Sequence, residues 1–366
     1  MIFMKVALVH DFLTQLGGAE RVLDVLLEIF PNSPVFTLVY DEKNTECRYK
    51  KADIKTGFLQ KLPRKWSYKW YLPLMPWAIE SFDFTGFDLV ISDASAFAKG
   101  IKVLSPAKHF CYCHTPTRYL WTEQESYLNA VPYPKFIKTL AKPVLYWMKA
   151  WDFKAAQKVT RFIANSNEVR NRILKYYHRD SVVIYPPIDT VFFKPSRNPS
   201  REYYLAAGRM EPYKKIDLVL EAFTITGQPL IIAGSGSKFK DWKKRYPAKN
   251  IKFLGRVSDE ELRDLYQNAK AFVFPAKEDA GMMIVEAQSC GTPVIAYNDG
   301  GAKEFVKTGL TGVFFEEQTP KSLIKALQNF ETMNFQTEKL VESSALFDKT
   351  AFKRNFLKLV GEESEL

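Results

Sequence analysis

The chain has 366 residues, 46% hydrophobic and 25% charged, with 52 Lys/Arg against 41 Asp/Glu for a net charge of +11. That balance excludes a disordered chain, and the length exceeds one usual domain and is ample for two cores. Four cysteines, at 47, 111, 113 and 290, include no Cys-x-x-Cys pair, no His/Cys cluster has zinc spacing, and no uncharged apolar run nears the roughly eighteen residues of a span, which argues against a disulfide scaffold, a zinc domain and an integral membrane protein.

In chain order, Lys5 to Phe12 reads as a strand running through Leu13-Thr14-Gln15-Leu16-Gly17-Gly18 into a helix from Ala19 to Phe30, with Val22, Val25, Leu26 and Ile29 inward. The Gly17-Gly18 pair permits close backbone approach to a ligand, and is equally a common tight turn. Asp88 to Ser92 and Lys108 to Cys113 are further strands. The second ends at His114-Thr115-Pro116-Thr117-Arg118-Tyr119-Leu120-Trp121, which puts His114 at a strand's carboxyl end. Between them, Lys99-Gly100 follows Ala96-Phe97-Ala98.

The positive charge is uneven: residues 1–190 hold 26 Lys/Arg against 18 Asp/Glu, whereas 191–366 hold 26 against 23. It is densest from Arg48 to Lys69, where only Asp53 opposes eight basic residues, with Trp66, Tyr68, Trp70, Tyr71 and Trp77 among and after them. Lys135 to Lys158 forms a second such stretch with Phe136, Tyr146, Trp147 and Trp151. Basic residues beside aromatics suit anionic lipid headgroups or single-stranded nucleic acid, and also describe a solvated face over core aromatics.

The strand–helix rhythm breaks from Tyr185 to Ser200, at Pro186-Pro187 and Lys194-Pro195-Ser196-Arg197-Asn198-Pro199, which marks a hinge. Tyr204 to Phe223 then reads as a strand, a turn at Gly208 and a helix with Ile216, Val219, Leu220 and Phe223 on its apolar face. Arg209 and Lys214 stand in the turn and helix start. Pro229 to Gly234 and Asn250 to Val257 are further strands, the latter followed by the capping box Ser258-Asp259-Glu260-Glu261. No Gly-x-Gly-x-x-Gly follows a strand, which argues against a nicotinamide oxidoreductase.

Ala271 to Phe274 is a buried parallel strand and Met282 to Cys290 a helix closed by Gly291, with Pro293 beyond. Glu278 therefore lies in the loop above a strand's carboxyl end, where open α/β sheets bind ligands. The amides of Gly281, Met282 and Met283 open the helix and can meet a phosphate, while Glu286 sits about one turn further in, within reach of a ribose. The closing stretch Ala351 to Val360 is amphipathic.

The run Pro275 to Ala296, with Glu278 and Glu286, resembles the signature of glycosyltransferase family 4, retaining enzymes of the GT-B fold. The Gly208-Arg209 turn resembles that family's phosphate clamp, Gly17-Gly18-Ala19-Glu20-Arg21 its first glycine loop, and His114-Thr115-Pro116-Thr117-Arg118-Tyr119 its His-Thr-Pro-x-Arg-Tyr segment. The resemblance implies an α/β chain of two Rossmann-like, doubly wound domains facing across a cleft: residues 1–187 for the acceptor, with a last helix at about 350–366 crossing back, and 188–349 for the donor. It implies that Glu278 contacts hydroxyls of the donor hexose and that Glu286 binds the ribose. Arg209 and Lys214 would hold the diphosphate with the Gly281, Met282 and Met283 amides, and Gly17 and Gly18 would lie near the donor phosphate and acceptor. His114 would reach the transferred sugar, and Arg118 is a candidate for the acceptor. Family members usually carry an aromatic before the glycine, where this chain has Ala280.

With no Asp-x-Asp, the expectation is a metal-independent transferase without cofactor. The overall pattern resembles bacterial mannosyltransferases of O-antigen and exopolysaccharide assembly, so the expected donor is GDP-mannose and the acceptor a lipid-linked saccharide or polysaccharide. Alternatives are a UDP- or dTDP-sugar donor, a sugar phosphorylase or epimerase of the same fold, and a non-catalytic basic-surface binder. The protein is expected in the cytoplasm, peripheral on the inner membrane face through Arg48–Trp77, with no nucleic-acid partner.

Overall fold

The computed structural model describes residues 4–63, 68–122 and 135–364. The chain forms two compact units, one of residues up to Tyr185 plus those from Lys353 on, the other Pro186–Phe352. The sequence reading set these limits at 187/188 and 349/350.

The first unit holds seven parallel strands: β1 (Val6–His10), β2 (Val35–Thr37), β3 (Ile54–Thr56), β4 (Leu89–Ala94), β5 (Lys108–Cys113), β6 (Arg161–Ala164) and β7 (Ser181–Val183), in the order β3-β2-β1-β4-β5-β6-β7. β1 and β4 are buried along their whole length, as expected of strands covered by helices on both faces. β4 extends to Ala94, two residues beyond the sequence reading, and so takes Asp93 into the sheet. The helix Gly18–Ile29 buries Val22, Leu23, Val25 and Leu26; Ile29 is only partly buried. The closing helix Lys349–Ser364 runs from the second unit into the first. There Phe356 is buried with its ring 6.3 Å from Phe30, and Lys353 pairs with Glu28 at 2.6 Å.

The second unit holds β8 (Tyr203–Ala207), β9 (Leu230–Ala233), β10 (Ile251–Gly255), β11 (Ala269–Phe274), β12 (Val294–Tyr297) and β13 (Gly312–Phe315), all parallel, in the order β10-β9-β8-β11-β12-β13. Ile216, Val219, Leu220 and Phe223 are all buried, on the helix Ile216–Thr226. Ser258 caps the helix Asp259–Asn268 reciprocally: its Oγ accepts from Glu261 N at 3.1 Å and its N donates to Glu261 Oε2 at 2.8 Å.

Strand order reverses between β1 and β4 in the first sheet and between β8 and β11 in the second. At such a switch point the loops leaving the two central strands diverge and open a crevice outside their carboxyl ends.

Candidate functional site

In the second unit, the predicted donor residues gather at that switch point. Arg209 and Lys214 come from the segment after β8, and Glu278 from the segment after β11. Lys214 stands in a separate 3-10 turn, Pro212–Lys214, and not on the helix start, because Lys215 adopts a left-handed conformation (φ 55°) before Ile216. Tyr213 lies between the two cations, its ring centroid 5.9 Å from Arg209 Cζ and 5.6 Å from Lys214 Nζ. The Lys214 ammonium makes an ion pair with Glu278 Oε1, both side chains partly buried. One cation thus already touches the carboxylate assigned to the sugar.

Two loops fix this arrangement from behind. Met210 N donates to Ser235 O (2.9 Å) and Gly234 N to Gly255 O (2.6 Å), lacing the segments after β8 and β9 to each other and to the end of β10. A Cβ on Gly234 would stand 1.9 Å from Gly208 O, so only glycine allows the first two to touch. After β12, Gly301 N donates to Glu278 O at 2.7 Å, and Gly300 (φ +63°) packs so closely that a Cβ would lie 2.5 Å from the same oxygen.

Gly281 caps the helix Met282–Ser289. The amides of Met282 and Met283 lie in its first turn, where no helical carbonyl is available to them, and carry the positive end of the helix dipole. Glu286 is buried and accepts from Tyr266 OH at 3.3 Å.

In the first unit, His114 directly follows β5, and its Nε2 meets Asp93 Oδ1 at 2.5 Å. Asp93 Oδ2 meets His10 Nδ1 at 2.8 Å, and His10 Nε2 lies 3.6 Å from Glu20 Oε1. Burial disfavours the His10 imidazolium, yet the hydrogen bonds and charges of Asp93 and Glu20 outweigh it and push its pKa up to about 10. The two histidines that flank it, His114 and His10, hold Asp93 below the usual carboxylate range despite burial. Gly17 caps its helix in extended conformation, and a Cβ there would approach Glu20 Oε2 to 3.1 Å. The glycine loop therefore folds back on a buried carboxylate. Arg118 opens the short helix Arg118–Trp121 and is partly buried.

Sequence reasoning missed several polar residues here. Asp11 accepts four backbone amides, from Ser95, Ala96 and Phe97 at 2.7 Å and from Ala98 at 2.6 Å, which pins the turn after β4. Lys99, buried, bonds Asp152 Oδ1 at 2.5 Å and Thr117 Oγ1 at 3.1 Å. Asp152 Oδ2 in turn accepts from Trp121 Nε1 and Tyr177 OH, each at 2.7 Å. Gly100 has no room for a Cβ, because Trp151 Cζ2 would lie 2.3 Å away. Lys99 thus ties Thr117, in the loop between His114 and Arg118, to Asp152.

Of the basic aromatic stretch, Arg64 to Ser67 lie outside the described residues, as do the side chains of Tyr68, Lys69, Trp70 and Phe136. Trp77 (55% exposed) and Trp147 (38%) face solvent with ring centroids 5.3 Å apart, and Tyr146 beside them is 76% exposed. Trp151, by contrast, donates Nε1 to Glu80 Oε1 at 2.6 Å and packs on Phe97. Among the described residues no helix is long and apolar enough to cross a membrane.

The backbone is that of solved glycosyltransferases. HepE of Anabaena, in complex with UDP and glucose, matches with a TM-score of 0.73 at 18% identity over 98% of this chain and 99% of that one. Sucrose-phosphate synthase from Thermosynechococcus elongatus matches at 0.77 and 16%, over 99% of both chains. The fold is that of the GT-B glycosyltransferases. The family model Glycosyltransferase Family 4 matches residues 16–192 and that of Glycosyl transferases group 1 matches residues 187–347. The chain belongs to this group of GT-B glycosyltransferases.

Among individual relatives, D-inositol 3-phosphate glycosyltransferase of Streptomyces bingchenggensis is 27% identical over 203 residues, 46% of this chain and 44% of that protein. The Mycobacterium tuberculosis (strain H37Ra) protein of the same name is 29% identical over 183 residues, 43% and 38%. The matched stretch spans less than half the length of either relative.

Proposed function

We propose that the chain is a retaining, metal-independent glycosyltransferase moving a hexose from a nucleotide sugar to a saccharide acceptor. The observation that carries this reading is the convergence of Arg209, Lys214 and Glu278 at the switch point of the second sheet, beside the helix that Met282 and Met283 open. As the bond between sugar and diphosphate breaks, charge grows on the departing phosphate, and fixed cations and helix-start amides aimed there lower the barrier. Glu278, next to Lys214, serves the sugar hydroxyls, and Glu286 the ribose. His114 contacts the transferred sugar, Arg118 the acceptor, and Gly17 and Gly18 let the first loop approach closely.

For the donor, mannose from GDP-mannose onto a lipid-linked acceptor follows the resemblance of the whole chain. UDP-glucose is the second reading, favoured by the UDP and glucose held by HepE, and an inositol phosphate is a second acceptor, from the names of the two relatives. Thermal shift and hydrolysis across a panel of GDP-, UDP- and dTDP-sugars tests this. Stabilisation by one nucleotide class with turnover of its sugar is the expected result, and no response to any member rejects the transferase reading. Release of sugar 1-phosphate with free phosphate, and no need of an acceptor, selects a phosphorylase instead.

The exposed Trp77–Trp147 pair, with Tyr146, supports docking on a membrane surface, where a lipid-linked acceptor resides.

A further inference from the structure

His10, Asp93 and His114 form a line across the carboxyl ends of three adjacent strands. His10 and Asp93 are direct partners in the register of β1 and β4, and His114 N bonds Ala94 O at 2.9 Å beyond the last pair of β4 and β5. Burial grades along the line: the side chains of His10, Asp93 and Glu20 are 4%, 1% and 5% exposed, and that of His114 is 14%. Three buried ionisable groups are costly unless each serves a partner, and here each holds the next. The line ends on His114, the most exposed of its four side chains.

The chemistry of the contacts fixes the protons. A carboxylate only accepts, so a ring nitrogen bonded to it carries hydrogen. His10 is bonded to Asp93 through Nδ1 and has the Glu20 carboxylate at ion-pair distance, 3.6 Å, from Nε2; two carboxylates facing one ring favour the imidazolium, in keeping with its raised pKa of about 10. Asp93 meets His114 through Nε2, and the neutral form of His114 then presents a bare Nδ1 lone pair. Tyr112, edge-on to His114 with centroids 5.3 Å apart, stays a neutral phenol because burial raises its pKa. Asn165 Nδ2 holds His114 O at 3.1 Å, so ring and backbone are both fixed.

We propose that His10 and Asp93 are positioning residues that set His114 to meet its substrate through Nδ1, as a hydrogen-bond acceptor for a sugar hydroxyl. Asp93 fixes the tautomer, and the charged His10, itself held by Glu20, keeps Asp93 ionised. The inference rests on the reading that His114 touches the transferred sugar.

The test begins with the unaltered protein. It has four histidines, at 10, 109, 114 and 178, so long-range proton–nitrogen NMR correlations of 15N-labelled chain resolve each ring. The expected result is His10 doubly protonated at pH 8 and neutral His114 as the Nε2–H form; a neutral His114 carrying its proton on Nδ1 overturns the proposal. Asp93→Asn and His10→Gln then follow, read by hydrolysis of UDP-glucose or GDP-mannose. Each should lower kcat by ~10- to 100-fold with donor KM little changed, and should alter the pH profile. Parent kcat and profile in both, while His114→Ala is inactive, rejects positioning. Full activity of His114→Ala instead rejects the sugar contact itself, and the tautomer result still decides the geometry. Should Asp93→Asn not fold, His10→Gln and the parent spectrum carry the decision.

Discussion

Lys214 and Glu278 neutralise each other across the switch point of the second sheet, ammonium against carboxylate, from segments 64 residues apart in the chain. If Lys214 holds the donor diphosphate as proposed, the diphosphate shares that ammonium or draws it away from the carboxylate. Arg209→Ala or Lys214→Ala should therefore cut transfer about 100-fold, the ~3 kcal/mol of one oriented charge partner, with the fold intact. Glu278→Gln should also lose turnover, yet bind free UDP or GDP at least as tightly as the parent because Lys214 is released. Titration calorimetry decides, and weaker nucleotide binding in Glu278→Gln speaks against competition for Lys214.

Glu286 is enclosed, with Tyr266 OH on its carboxylate. Glu286→Gln keeps the shape and a hydrogen-bond acceptor, and should weaken free nucleotide by about tenfold through loss of a charged hydrogen bond to the ribose, with kcat less affected. Unchanged affinity refutes the ribose role. The product linkage, read by NMR, should keep the donor's anomeric configuration.

Gly300→Ala tests the loop behind Glu278. The new Cβ would stand 2.5 Å from Glu278 O at a φ of +63°, so the strain adds to the clash. Stability should fall by ~1–3 kcal/mol in urea melts, and turnover should fall with Glu278 displaced. Gly227→Ala has a similar φ of +70° with nothing within 4 Å, and should cost less than Gly300→Ala while leaving turnover unchanged. Equal losses of stability and activity in the two variants would show that backbone strain alone matters.

What the sequence disclosed and what it hid divide along physical lines. Parallel strands wrapped in helices read as apolar runs, so β1, β5, β8 and β11 were visible, as was the Ser258 capping box. Motifs with local spacing, such as Glu278 to Glu286, also carried their own signal. Contacts set by sheet order did not: Asp93 meets His10 across 83 positions because β1 and β4 are neighbours. Reading β4 as ending at Ser92 hid Asp93 as a polar residue at a strand's carboxyl end, the one local cue available. Asp11 offered that cue at the end of the first strand but not its partners 84 to 87 positions on, and Asp152 lacked even the cue, since its role appears only when its distant partners are in place.

Two buried histidines should give the stability curve opposite limbs. His10 has a folded pKa raised to about 10 from an ordinary 6.5, so its contribution is complete below pH 6.5 and drains away as pH rises toward 10. His109, which bonds Ser92 Oγ at 2.8 Å, is pushed by burial to about 3, so its contribution is present above pH 6.5 and is lost as pH falls toward 3. Thermal melts from pH 4 to 10 should show both slopes. His10→Gln should flatten the alkaline limb and His109→Gln the acid limb. An unchanged alkaline slope in His10→Gln excludes a buried imidazolium at that position.

The Trp77–Trp147 pair provides the sharpest test of membrane docking, because it separates insertion from charge. Lysines near an anionic surface each add ~1 kcal/mol that salt screens over about 10 Å at 0.1 M, whereas indole rings at the interface are indifferent to ionic strength. The two rings are 55% and 38% exposed and packed together, so replacing both leaves the core untouched. Trp77→Ala with Trp147→Ala should abolish the fraction of protein that still co-sediments with anionic vesicles at high salt and leave donor hydrolysis intact. Neutralising Lys61, Arg64, Lys65 and Lys69 together should do the converse, removing the salt-sensitive fraction. Retention of the salt-resistant fraction by the double tryptophan variant places the aromatic pair outside any membrane contact.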